Sequence, residues 1–235
     1  MRNDNYVYFA NKNLDEFDTF VTNAGIYATP GRGYESVSVP GKNGDVLFEK
    51  NKYDNVLHTY PVIIKGNFNE NFAALKSFML SQQGYHRLSD TFYPDEFYLA
   101  TFQSFNNIRQ PFLDGQMGSC VLTFDRKPQR FLRSGETAVE VANGATLKNP
   151  TRFDSKPLIR VYGSGSLTIG DVSIAISTTE SYLDIDCEIQ EVLQDGGNLD
   201  ITLTNGEFPV LKSGVNTISY TGLTKVVITP KWWKL

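Results

Sequence analysis

Apolar residues in this chain recur mostly at a period of two, in short runs punctuated by Gly, Pro and Asn, and at the period of a helix in only one place. Val37 and Val39 alternate with serines. Pro40, Gly41, Lys42, Asn43, Gly44 and Asp45 then make a tight turn before Val46, Leu47 and Phe48, a pattern that predicts a β-hairpin. Tyr60 to Gly66 is short and rich in β-branched residues, as a strand requires. Phe97 to Ser104 and Ser119 to Asp125 read the same way. The helix spans about 70–83. Its apolar stripe of Phe72, Leu75, Phe78 and Met79 faces a sheet, Asn69 serves as N-cap and Gly84 as the stop.

From Phe131 to Pro157 the pairs Ser134-Gly135, Asn143-Gly144, Asn149-Pro150 and Lys156-Pro157 interrupt any long element, which places a domain boundary there. Short β runs follow at close spacing: Leu158–Tyr162, Leu167–Ile169, Val172–Ile176, Tyr182–Asp186, Leu199–Leu203, Thr217–Tyr220 and Lys225–Thr229. Leu183 and Ile185 point one way, and Tyr182, Asp184 and Asp186 the other, so one face of this sheet is buried and one solvated. The expectation is a mainly β protein. An N-terminal β-sandwich with one helix and a hairpin fills 1–133, a linker and domain entry 134–157, and a C-terminal antiparallel sandwich 158–235.

Composition narrows the function. Sixteen Phe and twelve Tyr in 235 residues supply the apolar area of a folded protein. No run approaches the roughly 20 apolar residues that span a bilayer, and the opening MRNDNYVYFANKN lacks the apolar stretch of a secretory signal, so the chain is expected to be made in the cytoplasm. Net charge is −4, with the acidic excess beyond Arg133 and a balanced first half, which disfavours a nucleic-acid reader. Cys120 and Cys187 are too few and too far apart for a disulfide framework or a zinc knuckle; both are expected as buried free thiols.

Candidate chemistry is thin, and no catalytic, cofactor-binding or metal-binding residue is assigned. His58 and His86 stand near no nucleophile elbow and are read as surface or hydrogen-bonded residues. Gly31-Arg32-Gly33 and Gly163-Ser164-Gly165 continue into no phosphate-binding motif and are read as turns. Asp184 and Asp186 share a strand face, the spacing of a glycosidase pair or calcium ligands, but also of an ordinary solvated surface. Trp232 and Trp233, flanked by lysines, are candidates for contact with a partner or a sugar. As strand neighbours, only one of them should enter the core.

Several short motifs in one order along the whole chain resemble the distal tail protein family of siphophages. They are Val39 to Asp45, Tyr85-His86-Arg87-Leu88, Tyr93-Pro94-Asp95, Leu122 to Arg130, Asn149-Pro150-Thr151, Pro157-Leu158-Ile159, Tyr162 to Gly165, Ile185-Asp186, Phe208 to Leu211, Gly214-Val215-Asn216 and Pro230 to Trp233. Lys42 departs from the Arg that the family often has in the turn. The resemblance implies a galectin-like second domain and a homohexameric ring at the virion tail tip, assembled in the host cytoplasm. Its partners would be the tail tube protein, the tape measure protein, the tail-tip hub protein and a receptor-binding protein, with DNA only passing through the channel. It implies a structural protein rather than an enzyme. The hairpin residues Pro40 to Asp45 are the candidate inter-subunit contact, because ring closure needs two complementary patches on every copy. The competing readings are a carbohydrate-binding module for host attachment, resting on the terminal tryptophans, and a glycan-cleaving enzyme, resting on Asp184 and Asp186.

Overall fold

The computed structural model describes residues 5–25, 28–112, 116–178, 181–194, 197–198, 202–203 and 207–235. The chain divides into two compact units, with the boundary between Arg130 and Phe131.

In the first unit the strands are β1 (Val7–Phe9), β2 (Lys12–Asn13), β3 (Thr19–Val21), β4 (Arg32–Val37), β5 (Val46–Tyr53), β6 (Val56–Lys65), β7 (His86–Asp90), β8 (Glu96–Phe112) and β9 (Met117–Arg126). All but β4 and β5 join one antiparallel sheet in the order β2-β1-β7-β8-β9-β6-β3. Alternation sets its buried face. On β6 the side chains of Val56, His58, Tyr60, Val62 and Ile64 point inward, opposite Arg126, Phe124, Leu122, Cys120 and Gly118 of β9. β8 extends well past the expected Phe97–Ser104, paired with β9 through bulges that shift the register.

Helix α1 (Phe68–Ser81) closes this face with Phe68, Leu75 and Met79, while Phe72 and Phe78 pack at the margin. It begins two residues earlier than the spacing predicts: Asn67, not Asn69, accepts the Glu70 N–H. Both asparagines precede the stripe. The choice falls to Asn67 because Phe68 must lie within the first turn to reach the core over Gly118. The chain leaves the helix at extended Gln82 and turns at Gly84, φ +79°.

The short β10 (Arg130–Leu132) straddles the boundary, with Phe131 and Leu132 in the second unit, which continues with β11 (Val139–Glu140), β12 (Thr146–Asn149), β13 (Leu158–Tyr162), β14 (Gly165–Ile169), β15 (Val172–Ile176), β16 (Leu183–Asp186), β17 (Glu191–Gln194), β18 (Gly197–Asn198), β19 (Thr202–Leu203), β20 (Gly214–Thr221), β21 (Lys225–Thr229) and β22 (Trp233–Lys234). Two antiparallel sheets form, β11-β21-β13-β16-β17-β18 and β12-β20-β14-β15-β19. Ile159, Leu183, Ile185, Val226 and Ile228 of the first meet Leu167, Ile169, Ile174 and Ile218 of the second in one core, the arrangement of a sandwich. Residues 134–157, expected as a linker and domain entry, supply β11 and β12 as sheet strands, and Asn149 is buried with its amide donating to the Phe153 and Leu211 carbonyls. Turn-forming residues mark where the chain reverses, and two or four residues of strand between reversals are enough to extend a sheet. Of the run expected at Leu199–Leu203, residues 199–201 lie outside the described residues. Gly31-Arg32-Gly33 is not a turn: it leads into β4, where Gly33 sits in a bulge.

Candidate functional site

β4 and β5 form a two-stranded ribbon that joins no other strand among the described residues. Val37 pairs with Val46, Ser36 with Leu47, Glu35 with Phe48 and Tyr34 with Glu49. Between the strands Pro40 and Gly41 take the two central positions of a turn closed by the Lys42 N–H on the Val39 carbonyl at 3.1 Å. Gly41 at φ +83° supplies the left-handed conformation that the turn requires. The hairpin predicted around Pro40 to Asp45 is therefore present in register.

Pairing also sorts its side chains. Val37, Val46 and Phe48 share one face of the ribbon, and Tyr34 and Leu47 the other. Tyr34, Leu47 and Phe48 are each about 60% exposed, so apolar groups stand uncovered on both faces. Beside the Gly33 bulge a groove of about 290 Å³ opens among Arg32, Tyr34, Leu47 and Tyr53. The exposed ion pair of Arg32 with Glu49, 3.6 Å, lines it, and a second exposed pair, Lys50 with Glu35 at 3.5 Å, lies on the ribbon's other face. A lone two-stranded hairpin is marginal in water, and its two unpaired edges are templates for further strands. These apolar residues stand exposed on the ribbon; the alternating pattern located the hairpin but left open that no core covers it.

The other expectations separate cleanly. Trp232 is only 5% exposed and belongs to the second core. Gly135 lies against its backbone, with no room for a Cβ. Trp233 is half-buried, stacks on Phe153 at 4.6 Å and donates its indole N–H to the Asp154 carbonyl. Asp184 and Asp186 do share a face, but each is taken by its own cation. Arg160 binds Asp184 through two bonds of 2.7 Å, and Lys231 reaches Asp186 at 3.1 Å. Burial works against the Asp186 charge, yet the Glu188 N–H and Lys231 outweigh it and hold that carboxyl below the usual range.

His58 is the clear correction. It is neither on the surface nor hydrogen-bonded: it is 3% exposed, and both ring nitrogens lack a partner. Its strand alternation points it into the core, where Tyr60 lies 4.4 Å away and Tyr98 6.1 Å away. His86, half-buried, pairs through Nε2 with the Gln83 carbonyl. Cys120 and Cys187 are buried and free, and burial pushes both thiols up to about 12. Among the described residues no group of three or more His, Cys, Asp or Glu could hold a metal ion, and no helix is long and apolar enough to cross a membrane.

No protein-family model and no curated protein sequence matches the chain. The crystal structure of the SPP1 Dit protein superposes with a TM-score of 0.76 at 13% identity, covering 98% of this chain and 99% of that one. The fold is similar to that of SPP1 Dit. That protein is described as a paradigm of the hub of the adsorption apparatus in phages infecting Gram-positive bacteria. A chain of the phage p2 baseplate, in its activated conformation with Sr, reaches a TM-score of 0.49 at 9% identity over 95% of this chain and 96% of that one, too distant to carry weight. The likeness to SPP1 Dit spans both units, as the resemblance in sequence implies.

Proposed function

We propose that this chain is a structural protein of a phage tail tip that assembles with copies of itself, the β4–β5 hairpin of one copy docking on the next. The carrying observation is a ribbon with apolar side chains bare on both faces, set on a chain that shares the SPP1 Dit fold end to end. Hub proteins work by geometry. A closed ring needs a donor patch and a different acceptor patch on every copy, and a hairpin with free edges suits the donor role. In this reading the assembly is a homohexameric ring at the virion tail tip, joined to tail tube, tape measure, tail-tip hub and receptor-binding proteins, with no catalytic role. Trp233, against Phe153, is the part of the second unit assigned to partner contact.

Light scattering after size exclusion, with negative-stain imaging, tests the reading. The expected particle is hollow and several times the 26.4 kDa of one chain. Phe48→Asp with Leu47→Asp lowers the mass toward the monomer while circular dichroism keeps its β signature, because both side chains already face water in the single chain. A wild-type protein that stays monomeric at high concentration and binds immobilised glycans would replace this reading with the carbohydrate-binding one.

A further inference from the structure

Arg126 is the largest fully buried side chain among the described residues, 1% exposed at the end of β9. No carboxylate among them lies within ion-pair distance of it, and its Nε and Nη1 have no hydrogen-bond partner. Burying a guanidinium so poorly compensated is costly, and burial lowers its pKa. A residue that breaks the usual rule so plainly has a compensating use.

That use is visible in what the remaining contacts hold. Nη2 donates to the Ala28 carbonyl at 3.1 Å, just before the chain enters β4. The Arg126 backbone pairs with Val56, just after the chain leaves β5. Both feet of the hairpin are thus tied to one residue. The Asp54 N–H on the Gly31 carbonyl, 3.0 Å, closes the root between them. The Tyr98 ring, 4.4 Å from the guanidinium carbon, fixes the plane of the fork, and the buried His58 ring stacks on that same tyrosine.

We propose that Arg126 is the positioning residue of the β4–β5 hairpin: through the Ala28 carbonyl and the Val56 pairing it sets the pose in which the ribbon leaves the sheet. Its consequence for assembly rests on the self-assembly reading above, but the clamp itself does not. An ammonium in place of the guanidinium keeps the charge and loses the flat fork and the stack.

Hydrogen exchange read peptide by peptide on the full chain separates the two. In Arg126→Lys the amides of β4 and β5 exchange about tenfold faster or more, the loss expected for one hydrogen bond from a charged donor. Those of β6, β9 and the second unit stay at wild-type rates. If the wild type assembles, the concentration needed for assembly rises in parallel; if it does not, the exchange pattern still decides the clamp. Should Arg126→Lys fail to fold, Tyr98→Leu, which removes the stack and leaves Arg126, is expected to shift the same peptides in the same direction. Unchanged hairpin exchange, or β6 and β9 loosening as much as the hairpin, overturns the proposal.

Discussion

At the scale of single residues, His58 gives the first unit a pH dependence whose sign follows from its surroundings. Burial first, then the Arg126 charge, lower its pKa from 6.5 to about 4, with Asp90 pulling weakly the other way. The folded state therefore binds this proton less readily than the unfolded one. Its contribution to stability is complete above pH 6.5 and is lost as pH falls from there toward 4, by on the order of 3 kcal/mol at the acid limit. His58→Phe keeps the ring packing and removes the titration. Urea midpoints of the variant measured across that window should fall less steeply than those of the wild type, and equal slopes would show that His58 does not titrate as argued. The neighbouring Tyr60 hydroxyl, buried and donating to Asp90 at 2.6 Å, stays protonated throughout, its pKa held up by burial and by that carboxylate.

Between elements, the contact of α1 with the sheet turns on a glycine. A Cβ built on Gly118 would come within 2.3 Å of the Phe68 ring carbons, so the helix sits where it does because β9 offers a gap there. Gly118→Ala should cost about 1–3 kcal/mol through overpacking. Gly118→Ala with Phe68→Leu should cost less than the sum of the two single changes, since the smaller side chain yields the space. Chemical denaturation of the four proteins in the cycle measures this, and strict additivity would mean that the ring moves aside freely. The helix stripe and the strand alternation were legible in the chain because each element's own period writes its buried face. The N-cap was misplaced by two residues because Asn67 and Asn69 carry the same local signal, and only the Phe68 contact chooses between them.

For the whole molecule, two cores without shared members predict two units with separate stabilities. The fragment 131–235, expressed alone, should give a β-type circular dichroism spectrum and a cooperative thermal transition. The fragment 158–235 should not, since it lacks β11 and β12 and leaves the edges of β21 and β20 bare. Equal folding of both fragments would return residues 134–157 to the status of a linker.

Taken by itself, the chain determined the mainly β class, the single helix, the hairpin with its turn and the strands Leu158–Tyr162, Val172–Ile176 and Lys225–Thr229, which fall at the bounds read from periodicity. Those features are local: hydrogen-bonding period, turn chemistry and alternation act within a few residues. Three others were decided only in three dimensions. Trp232 went inside and Trp233 stayed near the surface, although either would satisfy alternation. An arginine and a histidine were buried together without a carboxylate to pair the charge. A ribbon that reads like any sheet strand was left uncovered on both faces. Burial depends on which distant segments arrive to cover a surface, and no local period records that.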